Sequence, residues 1–391
     1  MWHGVTCERR NPVNTIGLIL LAAAAIGTTY YVLSALAVYS LFAGKPHEPA
    51  VGPRPKVSVL KPVRGLDRGA GANFASYLRQ DYPDYEVLFG LLEPSDPALD
   101  VILNVIQGDK RASVHIGTTI RGANNKVRIL HQLAKHASGD IFVITDADTR
   151  VEEHFLNAIT APFEDEAVGV VTCLYRGVEP RGIADGLEAL HMTSVFGPGV
   201  ACAKVLGRGI DFGLGAAIAI RAGALRAIGG FEPIADYLAD DFMLGHKPAV
   251  LGYKVELSRY VVDEVLSGEA VRGVLARDLR WSRTTRVSRP VGHLGLVFTF
   301  GFAYAVAYLL ATRFGTLGWE VLALAAGTRL ATAALVARRL GDRGFVGRAW
   351  LLPLRDLLSF AIWVAGYCGS TVRWRGRTLR VSKDGRIAPQ P

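Results

Sequence analysis

From Asn11 to Gly44 the chain carries no charged side chain. A helix needs about 20 predominantly apolar residues to cross a bilayer, and this stretch exceeds that length. Arg9 and Arg10 stand before it like the n-region of a signal peptide, but the apolar part is much longer than the roughly 7–15 residues of such a peptide's core. The expectation is a retained anchor over residues 1–45. A linker over 46–55 follows, marked by Pro46, Pro49, Pro53 and Pro55. Whatever comes next is held against one face of a membrane.

After Pro290 the chain turns apolar again, and the expectation is membrane segments over 290–372. Gly292–Thr312 and Gly315–Ala337 are each long enough to span. Trp350–Gly369 is interrupted by Pro353, Arg355 and Asp356, charges that are costly at membrane depth, so it reads as re-entrant or interfacial. Two spans after a cytosolic domain would leave Arg338, Arg339 and Arg343 inside, as cationic loops prefer. A non-spanning last segment would keep the basic tail, 373–391 with Arg373, Arg375, Arg377 and Arg380, inside as well.

Of the 391 residues half are hydrophobic and 20% are charged, too apolar for an ordinary soluble enzyme and too charged for a pure membrane bundle. The net charge of +9 gathers beside the apolar segments and in no recognisable nucleic-acid module. It suits anionic lipid, or simply sets topology. Cys7, Cys173, Cys202 and Cys368 share no close spacing, so neither a zinc site nor a disulfide framework is signalled.

Between the membrane parts, residues 56–289 read as α/β. Strand candidates are Val57–Leu60, Glu86–Leu92, Val114–Thr118, Ile141–Thr145 and Gly169–Cys173, with helices such as Val127–Ala137 and Glu153–Ala161 between them. That alternation predicts a mostly parallel, doubly wound sheet, whose ligands bind at the carboxyl ends of the strands. The run Ile141–Thr145 leads straight into Asp146-Ala-Asp148, and carboxylates there suit a divalent cation that also holds a diphosphate.

Other clusters fall at comparable places. Lys61-Pro62-Val63-Arg64-Gly65 follows the first strand, where a loop would meet a nucleotide. Glu93 and Asp96 follow the second and suit a ribose or base, although Ser95-Asp96-Pro97 equally suits a helix cap. Asn124-Asn125-Lys126 opens a helix whose N-terminus and Lys126 ammonium suit a diphosphate, with Asn as a plain cap the alternative. Gly213-Leu-Gly215 and Gly229-Gly230-Phe231 suit close approaches beside a substrate, or simply backbone geometry. Of the adjacent Asp240 and Asp241, one can face a cavity as a general base while the other caps a helix. Arg277, Arg280 and Trp281 share a helix face, suited to clamping phosphate and stacking on a sugar or acceptor, or to lying at the headgroup level.

The ordered set Glu93/Asp96, Asp146-x-Asp148, Asp241 and Arg277-x-x-Arg280-Trp281 resembles the D, D, D, (Q/R)xxRW pattern of processive and related inverting glycosyltransferases with a GT-A fold. Within that group the chain is similar to glycosyltransferase family 21, the ceramide glucosyltransferases, through Lys61-Pro62, Gln80-Asp-Tyr82-Pro83-x-Tyr85-Glu86-Val87, Asp96-Pro97-Ala98 and Asn125-Lys126. It is also similar to the bacterial hopanoid-biosynthesis-associated glycosyltransferases, through Val171-Thr-Cys173-Leu-Tyr175-Arg-Gly177, Gly229-Gly-Phe231 and Leu279-Arg-Trp281-Ser-Arg283-Thr284. The resemblance implies a GT-A nucleotide-sugar-binding domain with flanking transmembrane helices. It implies that Glu93 and Asp96 hold the nucleoside of UDP with Lys126 nearby, and Lys61, at the end of the first strand, is expected among the donor contacts as well. Asp148 would bind Mg²⁺ or Mn²⁺ with Asp146 in support, and Asp241 would be the base with Asp240 beside it. Arg277, Arg280 and Trp281 would close over the diphosphate and acceptor. The family's first aspartate is Glu93 here, which leaves Glu93 and Asp96 as alternatives for that role.

The function expected is inverting transfer of a sugar, glucose first, from a UDP-sugar to the hydroxyl of a ceramide-like lipid. The resemblance places the catalytic domain on the cytosolic face of a membrane, and the bacterial motifs point to a bacterial inner membrane. N-acetylglucosamine transfer to a hopanoid is the near neighbour, and a non-catalytic lipid-binding scaffold is the alternative from another class. A polysaccharide synthase fits less well, because the membrane part is small for a polymer channel.

Overall fold

The computed structural model describes residues 12–43, 54–207, 209–374 and 377–389. Most of the Pro-rich linker lies outside the described residues, as do Arg9, Arg10, Cys7 and Arg375. The remaining cysteines, Cys173, Cys202 and Cys368, are unbridged.

Eight strands form the main sheet: β1 (Val57–Pro62), β2 (Tyr85–Leu91), β3 (Ala112–Ile116), β4 (Ile141–Thr145), β5 (Thr149–Arg150), β6 (Val168–Val178), β7 (Ala217–Arg221) and β8 (Lys254–Val265). Their order is β3-β2-β1-β4-β7-β6-β8-β5. β1, β2, β3 and β4 pair in parallel, as expected. Every residue of β1 and β4 is buried, the pattern of strands covered on both faces. The sheet then departs from a plain doubly wound one. β7 runs antiparallel to both β4 and β6, and the two-residue β5 runs antiparallel to β8. The Ala-Ile-Ala-Ile-Arg of β7 is only five residues long and two of them are alanine, so its composition is a weak strand signal.

The helix Asn125–Ala134 is held flat on the sheet at Gly90 of β2, where a Cβ would lie 3.0 Å from the Leu133 methyls. In the membrane part, helices Pro12–Phe42, Gly301–Ala311 and Thr316–Leu340 pack together. A Cβ on Gly301 would sit 2.6 Å from the Gly27 carbonyl carbon, so two backbones touch there. The expected single span over Gly292–Thr312 is bent by 51° between Pro290–Thr299 and Gly301–Ala311. Among the described residues four helices are long and apolar enough to cross a membrane: Thr15–Phe42, Gly182–Leu206, Thr316–Leu340 and Phe345–Gly366.

Phe345–Gly366 carries the two charges that interrupt the sequence, and both are buried in pairs. Arg355 meets Asp278 of the helix Val271–Ser288 at 2.6 Å, and Asp356 meets Arg329 at 2.7 Å. Arg329 also donates to the Ser194 carbonyl at 2.8 Å. The segment after it is no loose tail. Strands β9 (Thr371–Trp374), β10 (Arg377–Val381) and β11 (Ile387–Pro389) form a second, antiparallel sheet. A boundary between 372 and 373 therefore cuts through β9.

Candidate active site

The site lies where β1 and β4 end. The loop after β4 carries Asp146 and Asp148, and Lys61 at the end of β1 lies beneath it. The Lys61 ammonium is fully buried, donates to the Asp146 carbonyl at 2.6 Å, and sits 4.0 Å from the Tyr77 ring centroid. Burial pulls its pKa down to about 7, against the pull of Asp148 and Asp146. A lysine enclosed in this way holds the loop from below, bonded to Thr145, the Asp146 carbonyl and Thr149. Thr149 ties the same loop, donating to the Asp146 carbonyl at 2.7 Å and meeting the Tyr77 hydroxyl at 2.6 Å.

Asn124 joins the next two elements. Its side-chain oxygen caps the helix Asn125–Ala134 at the amides of Lys126 and Val127, 3.0 and 3.3 Å away. Its amide nitrogen donates to the Tyr237 carbonyl at 2.8 Å and to Asp240 Oδ1 at 3.1 Å. The cap is thus also a clamp on the segment that carries Asp240 and Asp241. Lys126 then bridges the two acidic pairs, 2.6 Å from Asp146 Oδ1 and 3.5 Å from Asp240 Oδ2. Burial alone would lower its pKa, but Asp146 and Asp240 raise it well above the usual lysine value, so it is a fixed cation.

Asp240 and Asp241 open the helix Asp240–Val250. Asp240 is buried and engaged by Asn124 and Lys126. Asp241 is half-buried, and burial followed by the charge of Asp240 pushes its carboxyl up to about 6. Gly215 shows how close the acidic groups come: a Cβ there would be 3.2 Å from Asp241 Oδ2 and 3.5 Å from Asp146 Oδ2. A Cβ on Gly213 would meet the Asp241 carbonyl at 2.7 Å. Gly229 and Gly230 serve backbone geometry instead, with φ of 85° and 75°.

Glu93 and Asp96 separate cleanly. Asp96 accepts from the Gly65 amide through both oxygens, at 3.1 and 2.9 Å, and from the Ala98 amide at 3.0 Å. It pins the loop after β1 to the start of the helix Ala98–Ile106, while the Glu93 side chain is exposed. On the helix Val271–Ser288, Arg277 pairs with Glu188 and Glu269, and Trp281 stacks on His191 at 5.9 Å between centroids. Arg280 is half-buried on the same helix.

The carboxylates outnumber the cations, and the excess has a place. Burial, then Asp146 and Asp67, push Asp148 up to about 6, and burial with Asp148 and Asp146 raises Glu264 well above the usual glutamate value. A divalent cation would relieve that crowding. Among the described residues no three His, Cys, Asp or Glu side chains form a metal cage. One or two carboxylates with the rest of the shell from phosphate and water is how Mg²⁺ is commonly held, so the residues fit such an ion.

A model of the family described as glycosyl transferase family 21 matches residues 18–387, nearly the whole chain and both membrane parts. The chain belongs to that family. It is a glycosyltransferase. Among curated relatives, ceramide glucosyltransferase 1 of Caenorhabditis elegans is 23% identical over 97% of this chain and 83% of its own length. Ceramide glucosyltransferase 3 of the same organism is 22% identical over 86% and 74%. Among solved structures, the mannosyltransferase PcManGT from Pyrobaculum calidifontis, in complex with GDP-Man and Mn²⁺, superposes with a TM-score of 0.53 at 20% identity, covering 89% of this chain and 99% of that one. That likeness shows the GT-A-type fold.

Two acidic residues near the site escaped the sequence reading. Glu188 is fully buried against Arg277, and a charge within the apolar helix Gly182–Leu206 was its available signal. Glu264 sits on β8, whose Val265 amide donates to the Asp148 carbonyl at 2.9 Å, and β8 itself went unrecognised.

Proposed function

We propose that the protein is a membrane-bound inverting glycosyltransferase that moves a sugar, most simply glucose, from a UDP-sugar to the hydroxyl of a ceramide-like lipid at the cytosolic face of a bacterial inner membrane. The observation that carries this reading is the likeness to a ceramide glucosyltransferase along 97% of the chain, joined to a site with one acidic carboxylate left for the acceptor.

Asp241 is that carboxylate. It takes the proton of the lipid hydroxyl as the oxygen bonds to the anomeric carbon, on the face opposite the diphosphate. The bond from that carbon to the diphosphate oxygen breaks, the electron pair leaves with UDP, and configuration inverts. Asp240, tied to Asn124 and Lys126, keeps Asp241 in place. The exposed Glu93 meets the nucleoside, whereas Asp96 shapes the loop beside it. Lys126, at a helix N-terminus, lies beside the diphosphate. Asp148 and Asp146 would hold Mg²⁺ or Mn²⁺, which supplies charge neutralisation on the leaving diphosphate. Arg277 and Arg280 face the same group, and Trp281 borders the acceptor.

The test is mass spectrometry of lipids after purified protein is incubated with UDP-glucose and UDP-N-acetylglucosamine, ceramide and a hydroxylated hopanoid, and Mg²⁺. A hexosylceramide is expected. An N-acetylhexosaminyl hopanoid would replace both substrates, and no product from any pairing would sink the reading.

A further inference from the structure

The second sheet bears directly on the segment that leads into Asp240 and Asp241. The Ile387 amide donates to the Asp236 carbonyl at 2.7 Å, and the Leu238 amide donates to the Gly385 carbonyl at 3.4 Å. Tyr237 and Arg386 thereby face each other as an antiparallel bridge. Leu238 is buried among Val372, Leu379, Val381 and Ile387, so its side chain completes the small sheet's core.

The other side of the same segment is held by the site. The Ala123 amide donates to Asp236 Oδ1 at 2.9 Å, the Asn124 amide to the Ala235 carbonyl at 2.9 Å, and the Asn124 side chain to the Tyr237 carbonyl at 2.8 Å. Residues 235–239 are therefore gripped between the cap of the helix Asn125–Ala134 and the C-terminal sheet. The sheet is anchored in turn on the helix of Arg277, Arg280 and Trp281. Arg283 donates to the carbonyls of Cys368 and Thr371, and Arg286 donates to that of Gly369 at 3.1 Å.

We propose that the C-terminal sheet, β9 to β11, is a positioning clamp of the active site: it fixes the base segment 236–241 relative to the Arg277–Trp281 helix. The inference rests on the reading of Asp241 as the base. A clamp of this kind acts on the geometry of attack, and none of the contacts that form it involves Glu93, the residue proposed to meet the nucleoside. Misplacing a base by about 1 Å is enough to cost on the order of a hundredfold in rate.

The test uses the full chain and two variants, a stop after Ser370 and Ile387→Pro, which removes the amide donor to Asp236. Lipid glycosylation gives kcat and KM, and titration with UDP and Mg²⁺ gives Kd. The expected result is a kcat lowered at least tenfold in both variants with Kd for UDP within about twofold of the parent. A kcat within twofold of the parent in either variant overturns the inference. So does parallel loss of UDP binding in both, because the sheet would then serve the whole domain and not the base segment. Asp241→Asn is run alongside. If it keeps the parent rate, the base reading fails whatever the sheet does; if it loses the rate while the sheet variants keep theirs, only the clamp fails.

Discussion

Asp241→Asn offers the sharpest reading of the site. Burial first, then the neighbouring Asp240 and more weakly Asp146, raise the Asp241 carboxyl to about 6, while Lys126 pulls the other way. A base must be ionised to accept a proton, so kcat/KM rises with pH through that value. Below it each pH unit lowers kcat/KM about tenfold, and activity at pH 5 is roughly a tenth of the plateau. Asp148 is raised to about 6 as well, and its proton competes with the metal. Saturating Mg²⁺ or Mn²⁺ therefore isolates the Asp241 limb. Asparagine keeps the shape and removes the proton acceptor. The expected loss is about 10²- to 10⁴-fold, the usual scale for general-base catalysis, with the acidic limb abolished and UDP affinity unchanged. The assay is initial rate of glycolipid formation from pH 5 to 8 at saturating metal. An acidic limb that persists unchanged in Asp241→Asn would falsify the assignment of the base.

Removal of divalent metal abolishes transfer, and added Mn²⁺ or Mg²⁺ restores it; Asp148→Asn raises the metal concentration needed by at least about tenfold, read by metal titration of the rate, and full activity under chelation refutes both. Arg355→Met or Asp278→Leu alone leaves a buried charge without its partner and destabilises by about 3–5 kcal/mol, whereas the double variant recovers part of that loss. Thermal denaturation in detergent measures it, and strictly additive losses would contradict the pairing. Because β11 hydrogen-bonds to Asp236, the C-terminus and the catalytic domain share one side of the membrane. A C-terminal reporter active only on the opposite side would show that this pairing does not form.

The strands β1, β2 and β4 were legible as short, mostly apolar runs, while β3 was read two residues late and only the first half of the eleven-residue β6 was read. The strand-end position of Asp146 and Asp148 was legible for the same reason. Asn124, Lys126 and Asp240 stood out as types, but their meeting is a matter of topology: Asn124 Nδ2 reaches Asp240 across 116 positions of sequence. Lys61 shows the limit. Its place after a strand signals a ligand contact, and only the convergence of Tyr77, Thr145 and Thr149 around it reveals an enclosed cation. The C-terminal sheet was invisible because its own core is small and is completed from elsewhere. Val372, Leu379, Val381 and Ile387 are too few to signal a fold until Leu238 is set among them. The bend at Phe300 escaped because composition records apolarity and not backbone contact, and Gly27 against Gly301 is a contact between backbones.

The two ion pairs of the membrane part also set an order of biogenesis. Arg329 sits on one apolar helix, and Arg355 and Asp356 sit on the next, so each helix carries charged side chains whose partners lie outside it. Inserting either one unpaired would carry a bare charge into hydrocarbon, at a cost of about 2.5–3.5 kcal/mol or more each. Asp356 neutralises Arg329 only when the two helices enter as a hairpin. Arg355 finds Asp278 only on a catalytic domain that is already folded. That domain precedes them in the chain, so the partner that Arg355 needs is synthesised before Arg355 itself.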